Sequence, residues 1–282
     1  MMDLDKNIPV LVQFSGGQSS AFLARMIQLH PAFNQHTIIY CFQNTGKERE
    51  ETLQFVEECD RRWKLGVRWI EAKVDPEKGI GTSFTEVNYA TANRNGEPFE
   101  AVISKYGIPS LKFPICTREL KVQPSHKFMR SLGYKKYYRA LGIRADEQHR
   151  ISKNASRDRI IYPLIELNVT KQFITDWWSR QDFDLNLQEH EGNCDLCWKK
   201  SKRKRLMVLR DRPQVADWWQ DMENRYGDPL INRACFDQRD QLTIEQLVGM
   251  AQNVFVQESL DKTNQEFNPD LDMEWGCFCQ AS

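Results

Sequence analysis

The chain has 282 residues, 40% of them hydrophobic and 11% aromatic, enough apolar material for one large core or two modest ones and too much for an intrinsically disordered chain. Lys and Arg total 39 and Asp and Glu total 39, so a formal net charge of zero excludes a global electrostatic pull toward nucleic acid or membrane. No apolar run approaches the roughly 20 residues that cross a bilayer, and the opening Met1-Met2-Asp3-Leu4-Asp5 lacks the basic and apolar parts of an export signal, so a soluble, cytoplasmic protein is expected, whose eight cysteines serve metal binding better than disulfides.

The first element is a short apolar run, Val10-Leu11-Val12-Gln13-Phe14, followed by the turn Ser15-Gly16-Gly17-Gln18-Ser19-Ser20 and then by Phe22, Leu23, Met26 and Ile27 on one helical stripe ending near His30-Pro31. Strand, tight loop and helix start follow from that order. Gly16 and Gly17 allow the backbone to bend and to approach a ligand, and Ser15, Ser19 and Ser20 set hydroxyls beside the unpaired N–H groups of the helix start. These are the parts of a phosphate cradle. The loop is S-G-G-x-x-S, neither G-x-x-x-x-G-K-[ST] nor G-x-G-x-x-G, and an ordinary Gly-Gly turn before a core helix has the same letters, so later segments must decide.

Thr37 to Phe42 is too continuously apolar for an exposed strand and reads as a buried parallel one, with Cys41 as a core residue. It runs into Asn44-Thr45-Gly46, with Glu50 and Glu51 opening a helix striped by Leu53, Phe55, Val56, Cys59 and Trp63. A polar turn at the carboxyl end of a second strand lies where open α/β sheets bind ligands. Val67 to Val74 is a third strand. From Asp75 to Gly107 the periodicity weakens among Pro76, Gly79, Gly81, Asn95-Gly96 and Pro98, which predicts a mobile excursion near the site. Phe113 to Pro124 carries Cys116 and Lys121. Tyr137 to Ile143 is a fourth strand entering a charged loop with Arg144, Glu147 and Arg150, where the planar fork of arginine suits two phosphate or sulfate oxygens. Arg159 to Leu164 is a last short strand, and an α/β domain over 1–165 is expected to give way to a helical region over 166–282.

In that second region Thr170 to Arg180 and Pro213 to Gly227 have helical periodicity, and Thr243-Ile244-Glu245-Gln246 is a capping box ahead of Leu247. Trp177, Trp178, Trp218 and Trp219 are expected in a core rather than as stacking platforms. Between the helices stands Cys194-Asp195-Leu196-Cys197, a C-x-x-C whose neighbouring Lys199 and Lys200 are expected to lower the thiol pKa, and a second pair, Cys277 and Cys279, lies in the last six residues. Lys199 to Arg212 holds eight basic side chains against Asp211 alone, a solvated helix face or a nucleic-acid contact, while Glu258 to Glu274 holds six acids against Lys262.

Four ordered motifs, S-G-G-x-x-S at 15–20, N-T-G-x-E-x-x-E-T at 44–52, C-x-x-x-L-K-V-x-P at 116–124 and G-x-R-x-x-E-x-x-R at 142–150, make the chain resemble the PP-loop ATP pyrophosphatases, and within them the phosphoadenosine phosphosulfate (PAPS) reductase-like branch. Ser19 stands where that family usually has aspartate, and Cys116 is followed by Thr117 where cluster-bearing relatives often have a second cysteine. The resemblance implies a doubly wound, mostly parallel sheet of the HUP type with a helical, cysteine-containing C-terminal region. It implies ATP or PAPS as ligand, with Ser15, Gly16, Gly17, Gln18, Ser19, Ser20, Gly142, Arg144 and Glu147 around the phosphates and Asn44, Thr45 and Gly46 along the adenosine. Lys121 and Arg144 would neutralise the departing oxygens, with magnesium assisting.

For the cysteines three readings stay open: a 4Fe-4S cluster on Cys116, Cys194, Cys197 and one of Cys277 or Cys279; a structural zinc site on C-x-x-C and C-x-C that pins the tail and leaves Cys116 free; or a redox dithiol in Cys277 and Cys279, with the C-x-x-C as a second redox-active pair. The expected activity is adenylylation coupled to sulfur transfer, with a sulfur donor protein as partner and nucleic acid as one acceptor. The alternatives are reduction of PAPS or adenylylsulfate to sulfite, with Cys277 or Cys279 as nucleophile, and a non-catalytic nucleotide-binding or iron-sulfur sensor module.

Overall fold

The computed structural model describes residues 4–110, 113–231, 234–237 and 239–253; the expectations for Cys277, Cys279 and the acidic run 258–274 lie outside the described residues. Six strands, β1 (Val10–Gln13), β2 (Ile38–Asn44), β3 (Arg68–Lys73), β4 (Ser83–Val87), β5 (Tyr138–Ala140) and β6 (Ile160–Ile161), form one sheet in the order β4-β3-β2-β1-β5-β6. Every neighbouring pair is parallel except β3 with β4. The expected α/β architecture with a mostly parallel sheet is therefore present.

The uninterrupted burial of β1 follows from cover on both faces. On one face Val10, Val12, Tyr40, Phe42 and Trp69 meet Leu23 and Ile27 of α1 (Gln18–Leu29) and Leu53, Val56 and Cys59 of α2 (Glu50–Trp63). On the other, Leu11, Cys41 and Ile70 meet Phe128 and Met129. The chain steps outward from β1 through β2 to β3, then returns to the opposite side of β1 as β5. Connections leaving β1 and β5 thus diverge, and the carboxyl ends of strands at such a point are where sheets of this kind take ligands.

The excursion expected to be mobile over 75–107 is instead built into the fold. Ser83–Val87 pairs antiparallel with β3, and α3 (Glu97–Tyr106) buries Phe99, Val102 and Ile103 in a second apolar core. An edge strand with alternating polar residues has no continuous apolar run to announce it. The segment after Phe113 is also helical: α4 (Ile115–Thr117), a π-helical turn over Arg118–Val122 and α5 (Gln123–Ser131) follow without a break. Pro124 has no N–H to give to the carbonyl four residues back, and the Gln123 N–H reaches the Arg118 carbonyl five residues back.

Beyond β6, α6 (Pro163–Glu166) leads to α7 (Lys171–Trp178), whose Ile174 and Trp178 enter the first core beside α1. The second core is filled from α8 (Lys202–Asp211), α9 (Ala216–Tyr226) and α10 (Ile244–Gln252), with Trp219 between Phe99 and Phe236. Trp178 and Trp219 are buried as expected, and both hydrogen bonds of the Thr243/Gln246 capping box are formed. Among the described residues no helix is long and apolar enough to cross a membrane.

Candidate functional site

Residues Ser15–Ser20 form the corner between the carboxyl end of β1 and the start of α1. Gly16 has φ +82°, and a Cβ there would stand 2.4 Å from Thr52 Cγ2, so backbone conformation and space both call for glycine. Gly17 caps α1 with no side-chain hydrogen bond, which leaves the first amides of the helix to other acceptors. Ser20 Oγ donates to the Gly17 carbonyl (2.8 Å) and Ser15 Oγ donates to Ser20 Oγ (3.1 Å). Ser15 is exposed, so the corner opens to solvent.

From the β5 side Gly142 presses on this corner. A Cβ at 142 would lie 2.9 Å from Ser20 Cα and 3.1 Å from its amide nitrogen. Arg144 Nη1 donates to Ser19 Oγ (3.1 Å), while its Nη2 pairs with Asp146 Oδ2 (3.0 Å). Glu147 takes the Arg144 amide (3.2 Å) and pairs with Arg150, so its carboxylate shapes the turn that presents Arg144. Residues 15–20, 142, 144 and 147, far apart in the chain, share one corner.

Asn44 plays a different part from the adenosine contact implied by the resemblance. It is fully buried; its Nδ2 donates to Glu71 Oε1 (2.6 Å) and to the Asn93 carbonyl (2.8 Å), and its Oδ1 accepts the Gly46 amide (3.2 Å). Thr45 gives its N–H (2.7 Å) and its hydroxyl (2.9 Å) to the Glu48 carboxylate. Gly46 has φ +81°, with Asn93 Oδ1 2.6 Å from where its Cβ would be. Burial pushes the Glu48 carboxyl above the ordinary glutamate range, against the charge of Lys121 and the Thr45 N–H. Lys121 belongs to the π-helical turn and acts electrostatically on both Glu48 and Cys194, which sets it beside the N-T-G turn.

The C-x-x-C segment is strapped across this turn. Cys194 forms a β-bridge with Glu48, the Arg49 amide donates to the Asn193 carbonyl (2.7 Å), and the Asp195 amide donates to the Lys47 carbonyl (2.8 Å). Lys47 Nζ pairs with Asp195 Oδ2 (2.7 Å), and Arg49 pairs with the buried Glu191. Asn193 Nδ2 then donates to the Ser15 carbonyl (2.6 Å), tying the strap to the phosphate corner. Nothing in the sequence marked Asn193, Glu71 or Asn93; all three act through partners distant in the chain, and only the Cys194 that follows Asn193 offered a cue.

The thiol chemistry departs from expectation. Lys199 gives its ammonium to Thr117 Oγ1 (3.1 Å) and Lys200 to the carbonyls of His190 (3.1 Å) and Glu191 (2.6 Å). The Cys194 thiol is pushed well above the ordinary cysteine range, by burial first and by Glu48 second, with Lys121 acting against them. Cys116 lies at the margin of the second core. Among the described residues no group of three or more His, Cys, Asp or Glu is gathered to hold a metal ion.

The basic run over 199–212 is largely answered from within the molecule. Lys202 pairs with Asp240 (2.5 Å), Arg205 with the buried Asp237 (2.8 Å), Arg210 with Asp211 (2.8 Å) and Arg212 with Glu51 (3.1 Å). Much of the charge that suggested a nucleic-acid face is therefore spent on fixing α8.

No family profile matches the chain. It is similar to the uncharacterized nin region protein ORF290 of Escherichia phage lambda, with 32% identity over 206 residues that span 71% of this chain and 69% of the phage protein. It is also similar to the uncharacterized protein MJ0066 of Methanocaldococcus jannaschii, with 24% identity over 230 residues that span 78% of this chain and 42% of the archaeal one.

Proposed function

The chain belongs to the family of the phage lambda nin region protein ORF290, and we propose that it is a PP-loop adenine-nucleotide enzyme, of the HUP type and PAPS reductase-like, that adenylylates an acceptor ahead of sulfur transfer. The observation that favours this reading is the corner at the carboxyl end of β1, where the connections after β1 and β5 diverge. Two glycines, three serines and an uncapped helix start face the approach of Gly142 and the guanidinium of Arg144.

In the proposed reaction an acceptor atom attacks the α-phosphorus of ATP. The bond from that phosphorus to the bridging oxygen breaks, and pyrophosphate leaves with the electron pair. Amides at Gly16 to Ser19 and the Arg144 fork hold the leaving group and offset its growing charge, exchanging the Ser19 contact for phosphate oxygens. Lys121 contributes from the N-T-G side, where its charge acts on Glu48. Asn44 keeps the turn in shape from beneath. The described residues do not gather three ligands for a metal or cluster.

Pyrophosphate release from ATP by anaerobically purified protein, with and without nucleic acid, tests the proposal. Release above the level of an Arg144→Ala variant supports it. Sulfite from PAPS with a thiol donor, in place of pyrophosphate, replaces adenylylation with reduction, and nucleotide binding with neither product leaves a sensor module.

A further inference from the structure

Asn193 occupies the one-residue step between the phosphate corner and the C-x-x-C pair. Its Nδ2 donates to the Ser15 carbonyl at 2.6 Å and lies 3.6 Å from where a Gly17 Cβ would be, so the side chain packs on the loop as well as bonding to it. Its carbonyl accepts from the Arg49 amide at 2.7 Å. Next in the chain, Cys194 is bridged to Glu48, with its sulfur 4.0 Å from Thr45 Oγ1. Ion pairs of Glu191 with Arg49 and of Asp195 with Lys47 clamp both ends of the strap to 47–49.

We propose that Asn193 is a positioning residue that couples nucleotide at the Ser15–Ser20 corner to the accessibility of the Cys194 thiol. In a trans peptide the carbonyl and the following N–H point in opposite directions, so holding the Ser15 carbonyl fixes where the Gly16 N–H points. A phosphate oxygen that accepts from Gly16 N–H favours the orientation in which Asn193 reaches Ser15, and so favours the seated strap. A seated strap in turn presents the Gly16 N–H to phosphate. Such coupling is reciprocal: ligand seats the strap by the same factor by which the strap improves ligand binding. The inference rests on the nucleotide reading of the corner, and it extends that reading to the half-buried Cys194 thiol, whose pKa burial and Glu48 raise.

The test is alkylation of the full chain by iodoacetamide, followed residue by residue by peptide mass spectrometry, with and without saturating ATP, beside calorimetry with ATP. In the wild type ATP is expected to slow Cys194 labelling about fivefold. Asn193→Asp keeps the size of the side chain and loses its amide donor; it is expected to bind ATP about tenfold more weakly and, once saturated, to label Cys194 as fast as without ATP. Buried Cys59 in the same digest reports global opening, so a merely structural role would raise labelling at both cysteines and leave the ATP protection in place. Protection that survives in saturated Asn193→Asp, or wild-type labelling indifferent to bound ATP, overturns the coupling alone. A flat wild-type calorimetric trace overturns the nucleotide reading and the coupling with it.

Discussion

Gly16 has two separate reasons to be glycine, and they can be pulled apart. Its left-handed φ of +82° would cost an alanine about 1 kcal/mol or more, and the 2.4 Å approach of Thr52 Cγ2 adds a clash. Gly16→Ala is expected to abolish ATP binding in calorimetry while circular dichroism still reports a folded chain. Adding Thr52→Ser removes the clashing methyl and is expected to recover stability in part, without binding, because the backbone strain persists. Arg144→Ala is expected to slow pyrophosphate release by about a hundredfold, the usual scale for losing a charged donor at a leaving group, and Arg144→Lys to recover little because a point charge cannot replace a fork. Both residues were legible in the sequence from their motifs. Thr52 was legible as the last letter of N-T-G-x-E-x-x-E-T, but its contact with Gly16 was not, because its methyl matters only once α2 is packed against the loop.

At the scale of elements, the turn over Arg118–Val122 aims Lys121. One extra residue in a helical turn rotates everything after it by about 100°, and Pro124 sustains the irregularity by withholding an N–H. Pro124→Ala is expected to let the regular ladder re-form. Its thermal midpoint should hold or rise while pyrophosphate release falls by up to about a hundredfold, the scale on which misplacing a reacting group acts. Equal losses in both measurements would assign the turn to stability instead. The letters C-x-x-x-L-K-V-x-P identified this segment without revealing it as helix, since Pro and the polar run mask its period. The strap over 191–195 escaped for a different reason. Its contacts run to residues 47–49 and 15, and no local pattern encodes a partner more than a hundred residues away. The neighbouring lysines were legible as charge, but their ammonium groups turn to Thr117 and to carbonyls, so burial governs Cys194.

Across the whole molecule, two cores answer acid in opposite ways. The sheet core was readable from apolar runs and the order of four motifs; the second core, joining α3 to α8, α9 and α10, was not, because its apolar faces are far apart in the chain. In that second core Glu223 accepts from the Phe236 and Ile244 amides at 2.8 and 2.7 Å, near Asp237 and Arg205, yet burial raises its pKa to about 7. The native state keeps this proton where an unfolded chain, titrating near 4.5, has lost it, so this group's contribution to stability falls as pH rises from 4.5 through 7. Against the sheet, His126 touches the Tyr137 hydroxyl, and burial, with Arg139 and Arg130 nearby and Asp158 opposing, lowers its pKa to about 4. An unfolded chain protonates this histidine near 6.5, so its contribution is present above that pH and is lost as pH falls through 4. Between pH 4.5 and 6.5 the two slopes oppose, and the wild type is expected to hold a nearly level urea midpoint. Glu223→Gln, which also leaves one amide without its acceptor at a cost of about 1 to 2 kcal/mol at every pH, should uncover the histidine slope, with stability rising toward pH 6.5. His126→Gln should uncover the glutamate slope, with stability falling across the same interval. Parallel slopes in the two variants would mean that neither buried group governs the acid response, because each substitution removes a different sign of proton linkage.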